Sequence, residues 1–188
     1  MKIGIRSTGK LLAGSMVAAA ALALPASALA ASASPAHSTT PHAKSAACRF
    51  QQIKTWLGIG NGTSTSTTIS YPLEFSNVGR FTCTLTGFPG VSGVSASGAQ
   101  IGGAAHHIGS RFVIVLTPGL TAHAHLTIIS AGSVAGCNRR PGARLRVFAP
   151  NQSAHTIING FVFTACSNRT TLVVTSVRAG TGIPGIHV

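Results

Sequence analysis

Ile69-Ser70-Tyr71-Pro72-Leu73-Glu74-Phe75 decides the class of fold, because its odd positions are apolar and its even ones small, polar or proline. A repeat of two is the pattern of a strand with one face on a core. Pro72 cannot donate to a ladder, which places this strand at a sheet edge. Downstream, Asn77-Val78-Gly79-Arg80 turns the chain into Phe81-Thr82-Cys83-Thr84-Leu85, where Phe81, Cys83 and Leu85 share one face. Arg111 to Thr117 reads as a buried run rich in branched residues, Pro118-Gly119 as a turn, and Leu120 to Ile129 as the return strand. Arg144-Leu145-Arg146-Val147-Phe148, Gly160 to Cys166 and Thr170 to Val177 bring the count to about eight or nine strands. Short strands, abundant Gly and Ser/Thr, and no convincing helical stretch predict an all-β fold, an antiparallel two-sheet β-sandwich. Trp56, the only tryptophan, is expected in its core.

Upstream of this body the chain reads as an export leader. Met1 to Lys10 carries three positive charges, an apolar Leu/Ala stretch follows, Pro25 breaks it, and Ala26-Ser27-Ala28 and Ala28-Leu29-Ala30 offer small-x-small exits. That order predicts a secretory signal peptide over residues 1–30. Residues 31–47 are rich in Ser, Ala, Pro and His, have no apolar periodicity, and are expected to form a flexible tether. Residues 48–188 have the length of one domain, and no later apolar run is long enough to span a membrane. An even number of cysteines (Cys48, Cys83, Cys137 and Cys166) in an exported chain predicts two disulfides. Of three possible connectivities, Cys48–Cys83 with Cys137–Cys166 is favoured, each closing a loop of about thirty residues worth roughly 3–4 kcal/mol.

Charge then narrows the function. The chain has fourteen Lys and Arg, and Glu74 is its only acidic side chain, for a net charge of +13. Without Lys2, Arg6 and Lys10, which leave with the leader, the mature charge is about +10. A two-carboxylate glycosidase is excluded by count, a Ser-His-Asp triad has no Asp, and the nucleophile elbow is missing. Phosphate-loop and dinucleotide fingerprints are absent, so neither an enzyme nor a cofactor is expected.

Two groups of residues stand out. Arg139, Arg140, Arg144 and Arg146 lie within eight residues, with Arg144 and Arg146 on one face of a strand and Leu145 and Val147 on the other. Guanidinium forks without acidic neighbours suit a phosphate-bearing polymer. His123 and His125, two apart on one strand, share a face and could chelate a metal if a third ligand, for instance from His106-His107, comes near.

A longer frame combines these pieces. It runs from Cys48 through Tyr71-Pro72-Leu73-Glu74-Phe75-Ser76-Asn77 and Thr82-Cys83-Thr84-Leu85-Thr86-Gly87-Phe88-Pro89-Gly90-Val91 to Leu116-Thr117-Pro118-Gly119. Ala122, Ala124, Cys137, Leu145-Arg146-Val147 and Cys166 complete it. This frame resembles the exported actinobacterial family called domain of unknown function forty-two thirty-two, over nearly all of residues 48–177. The resemblance implies an immunoglobulin-like β-sandwich with no established activity and transfers no catalytic residues. Family members often carry an acidic residue in the hairpin after Pro-Gly-Val, where this chain has Ser97-Gly98.

The reading is a secreted, non-catalytic, envelope-associated domain that binds an anionic cell-wall polymer through the arginines. The alternatives are a structural or protein-interaction module meeting an extracellular protein at a sheet edge, such as the one marked by Pro72, and a metal binder through His123 and His125. No specific nucleic acid is implied.

Overall fold

The computed structural model describes residues 45–185. The leader at 1–30 and most of the tether, 31–44, lie outside the described residues, as do 186–188. The remainder is all-β. In chain order the strands are β1 Ile53–Leu57, β2 Thr63–Ser64, β3 Thr68–Asn77, β4 Cys83–Thr86, β5 Gly90–Val94, β6 Gln100–Ile101, β7 His106–Ile108 and β8 Val113–Leu116. They continue as β9 Thr121–Ile129, β10 Arg139–Gly142, β11 Arg144–Phe148, β12 His155–Ile158, β13 Phe163–Cys166, β14 Leu172–Thr175 and β15 Arg178–Ala179. The seven stretches named from the sequence each hold one strand, β3, β4, β8, β9, β11, β13 and β14, and additional, mostly shorter segments raise the number above eight or nine.

The principal sheet is ordered β1-β3-β9-β14-β7, with β2 on β3 and β15 on β9. A second sheet runs β12-β11-β5-β6, and two-stranded ribbons pair β4 with β8 and β10 with β13. The two larger sheets meet where β5 approaches β14 and β12 approaches β1. Leu73 and Phe75 of β3, Ala122, Ala124 and Leu126 of β9, Val91 of β5, and Leu145 and Val147 of β11 fill the space between them. The period-two pattern of β3 therefore points its odd residues 73 and 75 inward, as the sequence predicts. Both favoured disulfides, Cys48–Cys83 and Cys137–Cys166, are formed.

Pro72 corrects the edge-strand expectation. It lies in the middle of β3, between β1 and β9, opposite His125. In an antiparallel strand the N–H and C=O of one residue point to the same side. The Pro72 carbonyl accepts the Gly58 N–H at 2.9 Å, so its missing donor also faces the β1 side. There the chain leaves β1 for a 3-10 turn at Ile59–Asn61 before β2 begins, and no ladder bond is forfeited. A proline is tolerated inside this sheet because the neighbouring strand is interrupted opposite it.

Three smaller readings are corrected as well. Phe81 precedes β4 and is 75% exposed, so it does not share the buried face of Cys83 and Leu85. Val113 and Val115 are 65% and 55% exposed, because β8 belongs to a two-stranded ribbon with only its Ile114/Leu116 face turned inward. Trp56 is half-buried and sits opposite Glu74, on the face of β3 that points away from the inter-sheet core. Its indole N–H donates to the Ser76 hydroxyl at 3.4 Å.

Candidate functional site

The arginines divide between two sheets. Arg144 and Arg146 project from one face of β11 while Leu145 and Val147 are buried on the other, as alternation requires. Arg140 and Arg139, both exposed, belong to β10 and pair with Ala165 and Cys166 of β13. Arg146 is partly committed: one of its guanidinium N–H groups donates to the Gly98 carbonyl at 3.3 Å, and its Nε is buried without a partner. Gly98 lies in the turn between β5 and β6, so a backbone carbonyl here meets the cation.

Glu74, the only acidic side chain of the chain, is not at the surface to pair with an arginine. It is completely buried on β3, directly opposite Trp56 of β1 and His123 of β9. Its Oε1 accepts from the Gly182 N–H at 2.8 Å and the Thr181 hydroxyl at 3.1 Å, while Oε2 has no partner. Burial raises its pKa above the ordinary carboxylate value, with the Gly182 and Thr181 hydrogen bonds and the His123 charge pulling the other way. The segment over it is held at a second point, where Nδ1–H of His123 donates to the Gly180 carbonyl at 2.9 Å. Glycine is needed at 182: a Cβ there would lie 2.8 Å from Pro72 Cβ and 2.9 Å from His123 Cδ2. Nothing in the sequence marks this strap beyond the Gly180-Thr181-Gly182 string.

His123 and His125 do share a face of β9, and Ala122, Ala124 and Leu126 are fully buried behind them. Their rings meet edge to face at 5.4 Å. Burial, then the charge of His123, lowers the pKa of His125. Both rings line a cleft of about 350 Å³ with Thr175, Ser176 and Arg178, whose guanidinium lies 3.8 Å from the centre of the Phe112 ring. The third ligand that His106-His107 could have supplied does not come to them: His106 and His107 sit on β7, beyond β14, and the ring of His107 stacks on Phe88. Among the described residues no three His, Cys, Asp or Glu side chains are grouped to hold a metal ion. Arg178 was not singled out from the sequence, since nothing around Ser176-Val177-Arg178 marks it.

The model of the family described as "Domain of unknown function (DUF4232)" matches residues 48–180. The chain belongs to this family. The match covers well over half of the sequence, takes in both disulfides, and ends at Gly180, where the strap begins to cross Glu74. No curated protein and no solved structure matches this DUF4232 chain. No helix among the described residues is long and apolar enough to cross a membrane.

Proposed function

We propose that this DUF4232 protein is a secreted, non-catalytic binding module that meets an anionic polymer of the cell envelope through Arg139, Arg140, Arg144 and Arg146. One observation carries the reading. The only acidic side chain of the chain is sealed inside the principal sheet, so every surface arginine lacks a side-chain carboxylate of its own protein to pair with. Unpaired guanidinium groups attract polyanions and bind phosphate in a forked geometry, and these four lie on two consecutive strands, β10 and β11. Two disulfides suit an oxidising compartment.

Co-sedimentation with purified cell walls across a salt series tests the reading, using walls with and without their anionic polymer. The expected result is binding that requires the polymer and weakens with salt by roughly 0.7 log unit per log unit of salt for each phosphate contacted. Replacing Arg139, Arg140 and Arg144 by Ser should flatten that slope. A slope unchanged by the substitutions would overturn the assignment.

A second reading, a protein-interaction module, draws on the exposed Val113 and Val115 of β8 rather than on the Pro72 strand. It predicts association indifferent to salt and to the polymer, abolished by Val115→Asp.

A further inference from the structure

Where β3 begins and β9 ends, the surface opens into a cleft of about 320 Å³ unlike the rest of this cationic protein. Phe161 is buried in it, with Tyr71 set edge to face against it at 5.2 Å and Phe163 tilted beside it at 5.6 Å. The rim carries the hydroxyls of Ser66, Thr67, Ser130 and Thr164. In a chain with fourteen Lys and Arg, the lining contains none, nor any carboxylate or imidazole.

The cleft is built in advance of any ligand. Thr65 Oγ1 accepts the N–H groups of Thr67 and Thr68 at 3.3 and 3.0 Å, and the Thr65 N–H donates to the Thr68 carbonyl at 2.8 Å. The Ser130 N–H ties this turn to the end of β9 by donating to the Thr67 carbonyl at 2.7 Å. With Thr65 engaged in fixing the turn, the rim hydroxyls face outward and have no side-chain hydrogen bond among the described residues. Two aliphatic side chains in the lining are also left in solvent: Val162 is 80% exposed and Ile69 is 41% exposed.

We propose that this cleft is a binding site for an uncharged saccharide unit. The lining decides between ligand classes. A hydrocarbon chain would strip water from the rim hydroxyls without replacing their hydrogen bonds. A charged group would enter with no counter-ion. A neutral sugar ring presents hydroxyl edges that exchange hydrogen bonds with Ser and Thr, each both donor and acceptor, and C–H faces that pack on Tyr71, Phe163 and Val162. The volume is at the small end for ligand sites, which fits one or two rings rather than a long segment. This proposal stands apart from the arginine reading, since binding here involves no ion pair.

The test is amide chemical-shift mapping of the purified protein with uncharged trisaccharides of glucose, galactose, mannose and N-acetylglucosamine at millimolar concentration. The expected result is saturable shifts confined to residues 65–71, 128–131 and 161–164 for at least one sugar, unchanged by salt. Replacing Thr67 and Thr164 together by Val, an isosteric change at two exposed lining positions, should weaken that sugar by about tenfold by removing two hydrogen-bonding hydroxyls. Val113→Asp, on the β4/β8 ribbon, should leave it unchanged. No shifts with any of the four sugars, shifts centred elsewhere, or an affinity indifferent to the Thr67→Val/Thr164→Val pair would each overturn the proposal. Loss of polymer binding in the wall assay would leave this result untouched.

Discussion

At the scale of single residues, the least conventional arrangement is a lone carboxylate spent on the interior. Glu74 holds the strap through one oxygen, which favours its ionised form, and leaves the other unsatisfied, while burial, the larger effect, favours the protonated form. Burial raises its pKa from 4.5, so its contribution to stability is complete below that value and is lost as pH rises through the raised one. His125 acts in the opposite sense: its pKa is lowered from 6.5, so its contribution is present above that value and is lost as pH falls through the lowered one. Glu74→Gln keeps an acceptor for Gly182 and Thr181 and removes the buried charge. Thermal unfolding across pH should show the variant at least as stable as the parent at neutral pH, with the gap closing as pH falls toward 4.5. A marked loss of stability at neutral pH would show instead that the ionised form is favoured, by His123 and the strap together.

At the scale of elements, β11 shows what alternation can and cannot tell. Leu145 is fully buried and Arg144 faces outward beside it, as the sequence predicts. Leu145→Ala should cost about 2–5 kcal/mol in urea unfolding, since it leaves a cavity between the sheets. Arg144→Ser should change stability by no more than about 0.5 kcal/mol. Comparable losses for the two would mean that the arginine is a structural member of its sheet. At β8 the signal is different: a continuous run of branched residues without alternation reads as buried throughout, whereas Val113 and Val115 are exposed. Alternation specifies two faces, but a two-stranded ribbon covers only one of them, and the other carries exposed valines. At β3 the alternation was right and the edge inference from Pro72 was wrong, because the interruption between β1 and β2 makes room for a proline inside the sheet.

At the scale of the whole molecule, the two disulfides staple different regions. Cys48–Cys83 fixes the entry of the chain, where the Cys48 N–H also bonds the Thr84 carbonyl at 3.0 Å beside an isolated bridge between Ala47 and Thr84. Cys137–Cys166 closes the β10/β13 ribbon that carries Arg139 and Arg140. The paired residues are 35 and 29 positions apart. Replacing Cys137 and Cys166 together by Ala should lower stability by about 3 kcal/mol, read as a shift in the urea midpoint. It should also weaken any binding that depends on Arg139 and Arg140 more than binding that depends on Arg144. Equal losses at both pairs would separate the disulfide from the arrangement of the arginines.

By itself the sequence determined the β class, the inward faces of β3, β9 and β11, the presence of two disulfides with a favoured pairing, and the lack of a carboxylate pair. These follow from the side-chain period of a strand, from the cysteine count and spacing, and from composition. Only the tertiary structure decided what covers each outward face. Glu74 is sealed by Gly182, 108 residues away, and the uncharged cleft joins Tyr71 to Phe161 and Phe163 from a distant part of the chain. A local pattern says which way a side chain points. What it meets there depends on segments brought close by folding, and no period in the sequence records them.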